Sequence, residues 1–330
     1  MQEATQQHDS PNEPWPSIPW DAWQDTCRTL HRLTQIAGKI RLELSPMINH
    51  WWQVPLYVDS RGLTTSPIPY EAGIFDIHFD FLSSELRIAT SGGAVRTIGL
   101  RPRTVAAYYR EIMDALESLG IAVAIWTTPV EVDDRTPFEN DTAHAAYDAE
   151  QVRRFWKALV QADRVIKGFQ SGFLGKISPV HFFWGSFDLA ATRFSGRRAP
   201  THPGAPGVGR FVTVEAYSHE VSSCGFFPGS GLGTPAFYSY AYPEPEGYRE
   251  YPVQPKEAYY HGNFREFILP YDAIRTAASP DETLLSFLRS TYEAAADLAK
   301  WDRKSLERDP AELRRLLRHR IAPARIGKER

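Results

Sequence analysis

Apolar residues return at intervals of three and four in four stretches of the chain, the spacing that places side chains on one side of an α-helix. In the first, Trp23, Cys27, Leu30, Leu33 and Ala37 share a side, Asp21 with Gln24 makes a capping box, and Gly38 is the expected stop. The second is predicted from Pro102, with Val105, Tyr108, Tyr109, Ile112, Met113, Leu116 and Leu119 aligned before Gly120. A third runs from Asp148 as its cap through Val152, Phe155, Trp156, Leu159, Val160 and Ile166 to near Phe169. The fourth opens on Ser279 as N-cap, Pro280 at the first helical position and Glu282 closing the box, followed by Leu284, Leu285, Phe287, Leu288, Tyr292 and Leu298.

Between the first and second helices, and again between the third and fourth, the period falls to two and Gly, Pro and Ser fill the turns, which predicts sheet. "QVPLYVD", "FDIHFDF" and "SSELRIAT" are the strands of the first region; "PVHFFWGSFDLAATRF", "GRFVTVEAYS" and "PAFYSYAY" are those of the second. The order helix, strands, helix thus occurs twice, and the copies share text. "SPMINHWW" (45–52) parallels "SPVHFFW" (178–184), and "FLSSELRIATSGG" (81–93) parallels "EVSSCGFFPGSG" (220–231). The expected fold is α+β, with two pseudo-repeated halves, each a mainly antiparallel sheet flanked by two helices, packed into one compact unit. Polar, proline-punctuated residues 1–17 form a disordered arm in this reading; the halves span 18–130 and 131–301, and 302–330 is a basic, partly helical tail.

With 42% hydrophobic and 13% aromatic residues, the 330-residue chain has ample material for a core. A net charge of -3 lacks the bulk electrostatic pull of a nucleic-acid binder. Cys27 and Cys224 are too few for a disulfide framework and lack the spacing of a zinc site. No signal peptide or membrane-spanning run is visible. The expectation is a cytoplasmic protein that meets neither nucleic acid nor membrane.

Candidate chemistry concentrates in "SPVHFFWGSFDLAATRFSGR" (178–197). Read as one strand, it turns His181, Phe183, Gly185 and Phe187 one way and Phe182, Trp184, Ser186 and Asp188 the other. Asp188 and Arg193 make either a structural ion pair or a general base beside a carboxylate-recognising arginine. On the next predicted strand Glu215, Tyr217 and His219 share a face, as Asp76, His78 and Asp80 do in the first half; each trio suits metal ligation, a carboxylate-tuned histidine or a solvated strand face. His219, Glu220, Ser222, Ser223 and Cys224 are expected near a glycine-rich turn able to meet an anion. His50, Trp51 and Trp52 offer an aromatic platform, and duplication makes His50 the counterpart of His181. "GSGLGT" leads into a strand and so fails the dinucleotide fingerprint; P-loop, nucleophile-elbow and H-E-x-x-H motifs are absent.

The runs "NHWWQVPLYVDSRGLTTSPIPY", "SPVHFFWGSFDLAATRFSGRRAP" and "EAYSHEVSSCGFFPGSG" make the chain resemble the bacterial domain-of-unknown-function family DUF5996 over about residues 18–306. The resemblance implies a soluble bacterial protein and carries no activity, cofactor or catalytic residue. The residues themselves favour an enzyme, or an enzyme-like binder of a small molecule, with a pocket between the halves built from His50, Trp51, Trp52, His181, Trp184, Asp188, Arg193, Glu215, His219 and Glu220. In that reading His181 or His219 is the general base or metal ligand, Glu215 orients it, Arg193 anchors an anionic group and the tryptophans hold the organic part. Two other classes fit the text: a non-catalytic interaction protein using exposed aromatics and the basic tail, and a metal-dependent hydrolase or oxygenase. The sequence assigns no cofactor, metal or oligomeric state.

Overall fold

The computed structural model describes residues 13–205, 207–309, 311–313 and 315. Helix α1 (Trp20–Leu44) leads into β1 (Tyr57–Val58), β2 (Gly62–Thr64), β3 (Ile68–Tyr70), β4 (Gly73–Asp80), β5 (Glu85–Thr90) and β6 (Val95–Gly99), and α2 (Val105–Ser118) closes this half. The second half runs α3 (Ala149–Gln170), β7 (His181–Phe183), β8 (Asp188–Arg198), α4 (Arg210–Ala216), β9 (His219–Phe227), β10 (Ala236–Tyr242), β11 (Tyr259–His261), β12 (Glu266–Pro270), α5 (Tyr271–Arg275), α6 (Pro280–Leu298) and α7 (Arg303–Leu306). Each half contains one six-stranded antiparallel sheet, ordered β1-β2-β4-β5-β6 with β3 on β4, and β11-β12-β10-β9-β8-β7. The expected α+β architecture of two sheet-and-helix halves is what forms.

The sheets meet edge to edge. Leu56, just before β1, exchanges both backbone bonds with Phe182 of β7 at 2.8 and 2.7 Å, so the unpaired groups of one edge satisfy those of the other. In the second sheet Leu189, Phe226, Phe237 and Leu269 lie in register across four strands on the inner face, against α3 and α6. Alternation sends Asp188, Ala190, Thr192 and Phe194 of β8, with Tyr238, Tyr240 and Tyr242 of β10, to the outer face.

Helix α1 departs most from its sequence pattern. Every residue from Thr29 to Arg41 is buried, including Arg32, Gln35 and Lys39, which an amphipathic helix would give to water. The connection 121–148, irregular apart from one short 3-10 turn, covers that polar side. Its carbonyls have no ladder partners, and α1 supplies the donors. Arg32 donates to the Asp134 carbonyl (3.1 Å) and pairs with Asp141 (3.1 Å). Gln35 donates to Val130 O (2.8 Å) and accepts from Val130 N (2.9 Å), and Lys39 Nζ donates to Trp126 O and Thr128 O at 2.9 and 2.6 Å.

Other expectations are corrected by packing. Gly38 does not stop α1; a Cβ there would lie 2.2 Å from the Trp184 indole, so the glycine is the seat on which that ring rests. The predicted strand "GRFVTVEAYS" is α4, docked on the turn at 49–51 with Trp51 Nε1 donating to Val212 O (3.2 Å), so a tertiary contact overrides local β-propensity. Helix α2 starts at Val105, capped by Thr104 rather than at Pro102, and Ser279 gives α6 no side-chain cap. Residues 13–17 belong to the body: Trp15 is buried against Phe237 and Tyr271. Residues 302–309 dock as well, through Arg303 on Asp297 of α6 at 2.8 Å and a bridge from Glu307 to Phe173. The rest of the expected arm, 1–12, and most of the basic helix expected over 311–321 lie outside the described residues.

Gly38→Ala is expected to destabilise the protein: overpacking a rigid indole costs ~1–3 kcal/mol and outweighs the roughly 1 kcal/mol that alanine gains in helix propensity. Chemical denaturation checks this, and an unchanged or higher midpoint would contradict the seating of Trp184.

Candidate functional site

The outer face of the second sheet holds two polar clusters. At one end β8 begins with Asp188, which is buried and accepts from Tyr238 Oη at 2.5 Å and from Ser186 Oγ. Tyr238 reaches it from β10 by crossing Gly225 of β9; a Cβ on Gly225 would lie 2.4 Å from the phenol oxygen. Gly185 does the same for Glu131, whose carboxylate would be 2.2 Å from a Cβ there. Two strand-region glycines thus mark close approach. Glu266 of β12 lies on this face beyond Tyr240, whose hydroxyl is 2.9 Å from that of Tyr217.

Burial, and then the charge of Asp188, push Glu266 up to about 8; Glu131 is pushed in the same direction, but it is exposed, so solvent screens its rise. Burial also raises Asp188, opposed by its bonds from Ser186 and Tyr238. Burial drives the phenols upward, Tyr217 to about 12 and Tyr238 and Tyr240 well above their ordinary value. Among the described residues no Lys, Arg or His side chain pairs with any of the three acids. Segment 199–217 covers this end: the His202 ring stacks on Tyr217 at 4.4 Å and touches Tyr242 at 4.7 Å, and Gly207 lies beside Glu131.

The other end is basic and aromatic. His50 sits in a left-handed turn with Trp51, at φ 58° and 63°, a conformation uncommon for residues with side chains and held here from outside. Its backbone N–H donates to Glu215 Oε1 (3.1 Å), its Nδ1 lies 3.2 Å from Ala216 O, and its Nε2 lies 2.8 Å from Lys176 Nζ. The ring contacts Phe194 (4.7 Å), Trp52 (5.1 Å) and His219 (5.9 Å). Burial lowers both histidines; the Ala216 bond opposes this at His50, while Arg198 adds to it at His219.

Of the residues singled out from sequence, His50, Trp52, Glu215 and His219 therefore come together, although the last two flank the end of α4 instead of sharing a strand. Trp51 lies beside them against Phe211. The others disperse. The expected Asp188–Arg193 pair does not form, because odd and even positions of β8 face opposite ways: Arg193 enters the inner core, 3.5 Å from the Phe169 ring centre and 4.4 Å from that of Tyr292. Trp184 lies in the turn between β7 and β8 and donates to Val54 O (2.9 Å). His181 is buried beside Phe183, lowered to about 3 by burial and then by Arg41, and does not meet His219. Glu220 pairs with Arg197 at 2.7 Å, and Ser222, Ser223 and Cys224 lie within β9 rather than at a glycine turn.

Two concavities lie among the described residues near candidate positions. One of about 150 Å³ lies on the first sheet between Pro67, Asp76 and Ser91, and a water-sized one of about 10 Å³ touches Glu220, Tyr242 and Trp301. Neither contains the expected histidines and tryptophans of a chamber between the halves. Among the described residues no three His, Cys, Asp or Glu side chains converge as metal ligands. Sequence reasoning missed Glu131, Glu266, Tyr238 and Lys176; Gly185 and Gly225, glycines in strand-like text, were the available signal for Glu131 and Tyr238.

This geometry defines an α+β protein with a polar, aromatic outer sheet face, in which no described helix is long and apolar enough to cross a membrane. The chain belongs to the family of unknown function DUF5996, which matches residues 15–308. No curated protein and no solved structure matches it.

A carboxyl raised in the folded state binds its proton more tightly there than in the unfolded chain, so its contribution is full below the ordinary glutamate range and lost as pH rises through the folded value. Wild-type stability is therefore expected to carry a component that falls between pH ~5 and ~8 through Glu266. Glu266→Gln should remove it. Melting curves of both proteins across that range check this; parallel pH profiles would show that Glu266 titrates normally.

Proposed function

We propose that the outer face of the second sheet binds a small organic molecule through a cationic group, an amine or a guanidine. Asp188, Glu131 and Glu266 supply the counter-charge, and Tyr217, Tyr238 and Tyr240 supply aromatic walls. The observation that carries this reading is the buried Asp188, whose charge is felt by both Glu131 of the 121–148 connection and Glu266 of β12, with no basic partner among the described residues. Clustered acids lacking a cation destabilise a fold, and a ligand cation relieves that repulsion. Such a ligand would displace the proton that Glu266 retains near neutrality. The same acids are thereby placed to exchange protons with the ligand, which makes the site enzyme-like. Two buried free cysteines, Cys27 and Cys224, support a reducing, cytoplasmic setting.

A second reading, a docking surface for another macromolecule, is favoured by Phe211 and Val214 of α4 and Met47 and Ile48 beside the 49–51 turn, all exposed. It places function on the outside of α4 rather than beneath the 199–217 segment.

Thermal-shift measurements with small amines, guanidines, neutral polyols and carboxylates separate the readings. An amine or guanidine at ~100 times its Kd is expected to add about 2.7 kcal/mol to wild-type stability, release protons on binding, and have no effect on Asp188→Asn. Shifts by carboxylates alone, or an amine shift that Asp188→Asn retains in full, would contradict the assignment.

A further inference from the structure

We propose that Lys176, at the opposite end of the same face, is a nucleophilic amine that condenses with an aldehyde or ketone, with His50 as its proton acceptor. This inference is independent of the amine ligand above, since it uses other residues and another chemistry.

The arrangement has the three parts of an activated nucleophile: a nucleophile, a base within hydrogen-bond reach, and a third group that orients the base. Lys176 Nζ lies 2.8 Å from His50 Nε2. Because His50 Nδ1 faces the Ala216 carbonyl at 3.2 Å, its proton resides on Nδ1 and the Nε2 lone pair points at the lysine. The imidazole is buried, which favours its neutral, proton-accepting form. The lysine backbone is fixed, because its carbonyl accepts from Phe194 N at 3.0 Å. Its amine lies over the rings of Trp52 and Phe194 at 5.2 and 5.1 Å, so the side chain is held in one position before any substrate arrives. Lys176 is nevertheless exposed, so a carbonyl compound can reach it.

The chemistry balances without an oxidant or reductant. His50 Nε2 takes a proton from the ammonium, and the freed nitrogen pair forms a bond to the carbonyl carbon. The carbonyl π electrons move to oxygen, which takes back the proton from the His50 imidazolium, and the neutral imidazole then removes a proton from the adduct nitrogen to give a carbinolamine. The imidazolium returns that proton to the hydroxyl, which leaves as water while the nitrogen pair closes a protonated C=N bond to Lys176, so His50 ends neutral as it began. Glu215, whose Oε1 accepts from His50 N, holds the left-handed turn that presents the imidazole.

Reductive trapping of the full-length protein with a small aliphatic aldehyde and cyanoborohydride at about pH 7.5, followed by peptide mass mapping, tests the proposal. Lys256, whose side chain is 90% exposed, is the internal reference. Lys176 is expected to be alkylated at least ~10-fold faster than Lys256, a modest part of what a positioned base contributes. In His50→Gln its rate should fall to that of Lys256, with an unchanged circular dichroism spectrum. Equal wild-type rates at the two lysines overturn the proposal whether or not the variant folds. A fast Lys176 in folded His50→Gln removes His50 from it.

Discussion

Helix α1 buries an arginine, a glutamine and a lysine by pairing them with the carbonyls of an irregular connection, although the Nε atoms of Arg32 and Arg41 make no hydrogen bond. The dependence is mutual. Residues 126–134 have no sheet or helix to satisfy their backbone, and they stay folded against the body because Arg32, Gln35 and Lys39 stand at successive turns of α1. Removing one side leaves the other with buried, unpaired groups, a larger penalty than the net value of any single bond. The Arg32–Asp141 pair, both side chains almost wholly buried, extends the same clamp to the start of the second half.

The clamp also fixes the candidate site. Gln35 grips Val130 by both backbone groups, which delivers the adjacent Glu131 to Gly185. One turn earlier His31 Nε2 lies 2.9 Å from Gly185 O, and one turn later Gly38 receives Trp184. Three positions on one helix therefore place both the connection that carries Glu131 and the turn that precedes Asp188. Glu131 approaches Asp188 through backbone contacts made on α1, and the repulsion between the two is set against that rigid frame. The basic end is built differently, from a left-handed turn at His50–Trp51 held by α4 and by Glu215.

Much of the fold was legible from periodicity, because α2, α3 and α6 are amphipathic helices on a sheet and β4, β5 and β10 alternate cleanly. Reading failed where a distant element changed the local rule. Nothing in the text of α1 announces the connection that covers its polar side. The Val and Thr of α4 looked like a strand until docked on the 49–51 turn. Treating 178–197 as one strand hid the turn at 184–187, and with it the fact that Arg193 faces the core. His50, Trp52, Glu215 and His219 were picked for their residue types and do gather. Glu131 and Glu266 were overlooked because single acids in polar text resemble surface, and their proximity to Asp188 arises only from the strand order β12-β10-β9-β8 and the Gln35 clamp.

The claim that α1 organises the site through Gln35 is tested most directly by Gln35→Leu, a change of similar volume that removes both bonds to Val130. Native-state hydrogen exchange, combined with nuclear magnetic resonance titration of the Glu131 carboxyl, reads the two consequences together. Residues 126–134 should lose protection while β8, β9 and β10 retain theirs, and Glu131 should titrate in the ordinary glutamate range. Retained protection of this connection, with Glu131 still titrating above the ordinary glutamate range, would contradict the account.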